Sequence, residues 1–418
     1  MEISFLYLVG AVVLCFLMTW GVGANDLANV MSTTMGSKAI TVRKAIIIAV
    51  IFEFLGAFFG GSGVTETMRD RIINTSELVD QPLILIEGML SVLLACTVWM
   101  NLASFLGLPV SITNALVGSM VGFGAIVLGT SSIHWDQVGH IAIGWVTSPV
   151  IAGVVGYLLF ITIQLAIFVK SDPLARAKKY LPYYLFLVGI VLSYITVFKG
   201  LDHFGIHLSI RQDIAVTLFS SVLLTWVGMT IVRRLPEPQH MSRHTRFEQV
   251  EKYFAVLMGL TACAMVFAHG ANDVSLAVGP LSIVYSLSVN SGNFVAENYP
   301  SWITLIGCIG VITGFLMYGR RVIETVGSSI TALTPSRAFA ATLAAATTVV
   351  VATSTGIPVS ATQTLVGAVL GVGLARGIGA LNLIVIRNIF TSWVLTLPAA
   401  SILSIIAYKL LHFILTHL

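Results

Sequence analysis

GLPVSITNALVGSMVGFG, Gly107 to Gly124, returns as GIPVSATQTLVGAVLGVG, Gly356 to Gly373. The two copies align without a gap, 249 residues apart, with ten of eighteen positions identical. Each carries Gly-x-Pro-Val-Ser-x-Thr inside a long apolar region. Proline removes an N–H and disfavours helix in the residue before it. Ser111 and Ser360 are good N-caps, and Ser360 with Gln363 reads as a capping box. Each copy therefore predicts a helix break followed by a fresh helix whose first N–H groups are free. In lipid such a break survives only where protein buries it or where it lines a wet cavity.

The surroundings are those of a membrane chain. The 418 residues are 57% hydrophobic and 10% charged, with a mean hydropathy of +0.95. Soluble domains carry about 25% charged residues. Ile3 to Val22 is long enough to cross the roughly 30 Å hydrocarbon core and lacks a basic leader, so it predicts a retained helix. The net charge of +4 sits in loops, with no basic stripe interleaved with aromatics, which argues against nucleic-acid binding. Cys15, Cys96, Cys263 and Cys308 have no metal-type spacing and read as buried, inert thiols. No nucleophile stands with a plausible base, which argues against an enzyme and against a cofactor.

About twelve hydrophobic helical segments follow: 3–31, 45–64, 83–106, 107–129, 138–169, 183–198, 212–232, 253–289, 302–318, 338–353, 354–375 and 382–413. They exceed strand lengths and lack the alternation of a membrane barrel. The loop cations set the orientation. Lys38, Arg43 and Lys44, then Lys170, Arg176, Lys178 and Lys179, then Arg233, Arg234, Arg243, Arg246 and Lys252, then Arg320, Arg321 and Arg337 all become cytoplasmic together. This requires both termini outside and two re-entrant hairpins, 83–129 from outside and 338–375 from the cytoplasm. Arg69, Arg71, Lys199, Arg211 and Lys409 then lie outside. Two crossing helices in place of each hairpin would give the same parity.

A second motif is doubled. Gly23-Ala24-Asn25-Asp26-Leu27-Ala28-Asn29 is matched by Gly270-Ala271-Asn272-Asp273-Val274-Ser275-Leu276, and Trp145 with Pro149 by Trp393 with Pro398. Four full crossings separate the two Asn-Asp helices, or six without re-entrance. An even number makes them antiparallel. The expected fold is an all-α polytopic membrane protein with an inverted-topology repeat and two re-entrant helical hairpins. Residues 1–169 form the first repeat and 253–418 the second. Residues 170–252 supply connecting helices and a basic cytoplasmic loop with Pro236 and Pro238.

A carboxylate at a helix centre costs about 2.5–3.5 kcal/mol to insert, so Asp26 and Asp273 in matching places point to function. Carboxylate and amide oxygens suit a hard cation, and the motif glycines would let the backbone unwind to offer carbonyls. Ser111, Thr113, Ser360 and Thr362 present hydroxyls at two half-helix starts, where free N–H groups and the dipole favour an anion. Asn114 and Gln363 stand beside them. Glu53 and, more weakly, Glu87 are further carboxylates in apolar helices, without counterparts in the other half. His269 reads as a hydrogen-bonded structural histidine, with a proton relay as the alternative. Gly118-x-x-x-Gly122 and Gly367-x-x-x-Gly371 read as packing surfaces.

The two Gly-Ala-Asn-Asp motifs, Gly36-Ser37-Lys38, Ala268-His269, Gly279-Pro280 and both Pro-Val-Ser blocks together resemble the inorganic phosphate transporter (PiT) family. The resemblance covers nearly the whole chain. It implies a symporter of inorganic phosphate, coupled to Na⁺ or H⁺, working by alternating access in the inner membrane as a homodimer. By likeness, Asn25, Asp26, Asn272 and Asp273 belong to cation sites, with Asn29 adding an oxygen to the first. Ser111, Thr113, Ser360 and Thr362 hold phosphate. Glu53 matches the family's second-helix glutamate. The chain departs from the family where Asn114 and Gln363 replace a frequent His, and where Leu276 replaces an Asn. The alternatives are a sulfate permease of the same architecture and, further off, an anion channel.

Overall fold

The computed structural model describes every residue except 1, 71, 74–77, 79–80, 196–207, 238–241, 291–298 and 418. Arg71, Lys199 and Pro238 of the expected topology lie outside the described residues, as does the end of the 183–198 segment.

Among the described residues the regular structure is helical, apart from one isolated bridge between Ile73 and Ile133. In chain order the helices are α1 Glu2–Val22, α2 Ala28–Gly36, α3 Val42–Gly60, α4 Ser62–Asp70, α5 Pro82–Leu106, α6 Ile112–Val127, α7 Trp135–Ile163 and α8 Pro173–Ile195. Then come α9 Ile210–Arg233, α10 Arg243–His269, α11 Ser275–Val289, α12 Ser301–Ser329, α13 Pro335–Ser354, α14 Ala361–Leu374 and α15 Leu383–Thr416. Among the described residues, eight continuous helices are long and apolar enough to cross a membrane. The chain is thus an all-α polytopic membrane protein.

Both doubled stretches break where the prolines require. α5 ends on Gly107 at φ 67°, and the Thr355 turn after α13 leads into Gly356 at φ 74°. Such left-handed positions suit glycine, which has no Cβ to clash. After each break the chain turns back, so α5 packs on α6 and α13 on α14. α6 and α14 hold 16 and 14 residues, so they are about 24 and 21 Å long, short of the roughly 30 Å core. Residues 109–120 and 358–369 are all buried.

The two halves exchange partners. α6 packs on α15 and α14 on α7, so each half-helix lies on the long Trp…Pro helix of the other half. Small residues make this possible. A Cβ on Gly118 or Gly122 would stand 2.5 Å from the Leu397 or Ser401 carbonyl oxygen. On Gly367 or Gly371 it would stand 2.2 Å from Pro149 O or 1.9 Å from Gly153 O.

The motif glycines do the same work, and the backbone expected to unwind there widens into π turns without breaking. Gly23–Leu27 and Gly270–Val274 stay helical as single π turns inside the continuous rods α1–α2 and α10–α11. A Cβ on Gly23 would meet Val311 O on α12 at 1.8 Å, and one on Gly270 would meet Glu53 O on α3 at 2.3 Å. The glycines admit a neighbouring backbone rather than release their own.

The crossings carry a stability prediction. Gly314→Ala puts a Cβ at 1.8 Å from Trp20 O. It should destabilise the protein by about 1–3 kcal/mol, seen as a lower thermal unfolding midpoint in detergent. Gly139→Ala, with nothing within 4 Å, should leave the midpoint unchanged or raise it. Equal midpoints for the two variants would contradict the close-approach reading.

Candidate functional site

The two π turns meet the two hairpin breaks in the protein interior. Asn25 Nδ2 donates to Leu108 O at 2.8 Å, and Val110 N donates to Asn25 Oδ1 at 3.2 Å. Asn272 Nδ2 donates to Val359 O at 2.7 Å and also to its neighbour Asp273 Oδ1. Each motif asparagine thus holds the break of its own half. Broken backbone away from water needs such partners.

Two threonines tie the halves together. Thr113 Oγ1 donates to Val359 O at 3.1 Å, and Thr362 Oγ1 donates to Asp26 Oδ1. Asn29 Nδ2 lies 3.4 Å from both Thr362 Oγ1 and Asn25 Oδ1. Ser111 Oγ accepts from Asn114 N at 3.3 Å and donates to Asn114 Oδ1 at 3.0 Å. Ser360 Oγ accepts from Gln363 N at 3.2 Å. The capping box expected there forms on one side only, because Gln363 Oε1 finds no donor. The side chain points away from the cap and helps line a cavity of about 880 Å³, which Asn114, Trp145 and Trp393 also reach.

The sequence-selected residues therefore gather: Asn25, Asp26, Asn29, Ser111, Thr113, Asn114, Asn272, Asp273, Ser360, Thr362 and Gln363 are all buried around the two breaks. Five of their acceptor oxygens have no hydrogen-bond partner in the protein: Asp26 Oδ2, Asn29 Oδ1, Asn272 Oδ1, Asp273 Oδ2 and Gln363 Oε1. Leaving a buried polar group unpaired costs about 1–3 kcal/mol. Oxygens of carboxylate and amide type are ligands for a hard cation, so the donor set fits one. The four hydroxyls, in contrast, are engaged within the protein in this conformation.

The sequence did not disclose one cluster. His269 Nδ1 lies 2.8 and 2.9 Å from the two Glu53 oxygens. Its Nε2 lies 3.0 Å from Asp273 Oδ2, an ion-pair distance off the line of a hydrogen bond. All three side chains are fully buried. The spacing of His269 and Asp273, one helical turn apart, was the available signal. Glu87 is not brought to this site: it pairs with His412 Nδ1 at 2.8 Å, near the far end of α15.

The close approaches also reveal counterparts that alignment hides. Gly270 rests on the Glu53 carbonyl and Gly23 on that of Val311. Gly56 rests on Phe267 and Gly314 on Trp20. Val311 thus stands where Glu53 does, and Val22 where His269 does. The first Asn-Asp turn has apolar neighbours at the positions where the second has a carboxylate and an imidazole.

Two broken helices facing two polar turns inside an all-helical membrane chain define a carrier-type architecture. Residues 22–404 match the sequence model of the phosphate transporter family. A protein named "Putative phosphate permease" from Haemophilus influenzae is 46% identical over 397 residues, which is 95% of this chain and 94% of that one. A permease of similar name from Thermococcus kodakarensis is 36% identical over 408 residues, covering 97% and 98% of the two chains. A solved structure titled "The sodium-dependent phosphate transporter" superposes with a TM-score of 0.87 at 35% identity, covering 98% of this chain and 99% of that one. The chain belongs to the phosphate transporter family, and it is a transporter rather than an enzyme.

The asparagine clamps can be tested separately. Asn25→Ala should speed amide hydrogen exchange at Val110 and leave Val359 and its neighbours unchanged. Asn272→Ala should loosen the second break instead. Exchange that is unaltered at both breaks would show that other contacts hold them.

Proposed function

We propose that this protein carries inorganic phosphate across the inner membrane by symport with a cation, Na⁺ or H⁺, through alternating access. The observation that carries the reading is the set of five buried oxygens without a hydrogen bond, on Asp26, Asn29, Asn272, Asp273 and Gln363, beside two half-helix starts. The oxygens would receive the cation. The half-helix N–H groups, with Ser111, Thr113, Asn114, Ser360, Thr362 and Gln363, would receive the anion once their mutual hydrogen bonds open. The names of the relatives and of the solved neighbour support phosphate as the anion and sodium as a coupling ion.

Electrostatics favour coupling, because uptake without another energy source needs accompanying cations. A cell interior about 100 mV negative opposes each entering negative charge by about 2.3 kcal/mol, so a dianion meets about 4.6 kcal/mol. Cations bound beside the anion cancel that charge. The Asp26–Thr362 contact joins the cation turn of one half to the anion hairpin of the other. Filling one site thereby acts on the other. The Asp26 and Asp273 sites are unequal, since Asp273 faces His269, which is itself held by Glu53, while Asp26 accepts from Thr362.

The short α6 and α14 favour re-entrant hairpins over crossing pairs. With the basic loops cytoplasmic, both termini lie outside, and residues 1–169 and 253–418 become inverted repeats joined by 170–252. A homodimer is part of the same reading.

The decisive test is uptake of radiolabelled phosphate into proteoliposomes under an imposed Na⁺ gradient and then a proton gradient, with sulfate as competitor. Accumulation driven by one gradient and insensitive to sulfate is expected. Sulfate accumulation, or no gradient-driven flux from folded protein, would overturn the reading. Asp26→Asn and Asp273→Asn should each abolish accumulation while the protein folds and inserts. Normal uptake in either variant would remove that residue from the cation machinery. Ser111→Ala combined with Ser360→Ala should raise the half-saturating phosphate concentration, and an unchanged value would exclude those hydroxyls as ligands.

A further inference from the structure

Arg387 lies one turn into α15, and two grooves meet at it. One, of about 420 Å³, runs toward α5 past Trp99, Leu102 and Leu106. The other, of about 540 Å³, runs along α15 past Phe390, Val394 and Pro398. Both share Arg387, Thr391 and Leu395, so a single guanidinium heads two apolar channels. Leu106 is 58% exposed and Val394 is 77% exposed. On a membrane-spanning chain such faces meet acyl chains. Arg387 is itself exposed, and among the described residues no carboxylate pairs with its guanidinium.

The position along the membrane is consistent. Asn382 N donates to Ile330 O at 3.1 Å, and Arg376 donates to Thr331 Oγ1 at 3.1 Å and Ala332 O at 3.2 Å. Arg337 donates to Ala332 O at 3.0 Å. α15 therefore starts at the arginine-rich end of the molecule. With 34 residues it is about 51 Å long, well beyond the hydrocarbon core, so its first turns reach headgroup level. A long arginine side chain can extend the rest of the way.

We propose that Arg387 and its two grooves bind one anionic, two-chain phospholipid from the bilayer. The phosphodiester sits on the guanidinium, with Asn388 and Thr391 beside it, and one acyl chain lies in each groove. A zwitterionic lipid fits the grooves equally but gains less from an unpaired cation. The site adjoins the first hairpin break: Leu108 borders the first groove, and Ser392, next to Thr391, donates to Pro109 O at 3.1 Å. The lipid braces the first hairpin break from the bilayer side, while Asn25 holds it from within.

Native mass spectrometry of the full-length protein, titrated with phosphatidylglycerol or phosphatidylcholine of matched chains, tests this. Wild type should retain phosphatidylglycerol selectively. Arg387→Gln should weaken that adduct about fivefold, the worth of one basic residue at a lipid surface, and weaken the phosphatidylcholine adduct less. Lys409→Gln, at the other end of α15, should change nothing. Leu102→Trp, which fills one groove without touching the charge, should also weaken the adduct, and it serves if Arg387→Gln misfolds. Inorganic phosphate should not displace the lipid. Full retention in folded Arg387→Gln or Leu102→Trp would overturn the proposal. So would displacement by inorganic phosphate, which would assign Arg387 to an aqueous anion path.

Discussion

A broken helix inside hydrocarbon must find partners for the backbone groups it releases. Everything at the centre of this protein answers that constraint. Asn25 supplies both a donor and an acceptor to the break at 107–111, and Asn272 supplies a donor to the break at 356–360. Those asparagines can reach only because their helices pass close to the hairpins and to neighbouring rods. Gly23 and Gly270 permit that proximity, since any side chain there would overlap the Val311 or Glu53 carbonyl. The doubled run of four residues thus divides its labour between close approach, clamping and a carboxylate.

The duplication is chemically incomplete. Asp26 and Asp273 occupy matching turns, yet one accepts from Thr362 while the other faces His269, itself held by Glu53. Around the turn of Asp26, Val22 and Val311 stand at the positions equivalent to His269 and Glu53. A buried charge needs a partner, and the two halves provide different ones. Two sites built on one backbone plan therefore present different fields to whatever binds there. This inequality is where the two halves of the protein diverge most in chemistry while remaining alike in shape.

Outside this polar centre the rule reverses. α9 and α15 present leucine, valine and isoleucine outward, and the Trp…Pro helices carry apolar faces around the cavity beside Asn114 and Gln363. Arg387, near the start of α15, is an exception on the outer face, which is why its surroundings are informative.

The sequence alone determined the helical membrane class, the two breaks, their caps, the pairing of motifs and the buried carboxylates. Each of these follows from local chemistry: proline and glycine placement, apolar run length, and the insertion cost of a charge. Only the tertiary structure decided which half each group serves. Thr362 reaches Asp26 across a separation of 336 residues, and His269 reaches Glu53 across 216. Nothing in the local pattern of either segment encodes that pairing. Tertiary packing also decided that Gly23 and Gly270 each meet a crossing backbone, a demand that their own torsions do not make. Glu87 shows the same limit from the other side. Its burial in an apolar helix was legible, but its partner His412 and its distance from the centre were set by how α5 packs on α15.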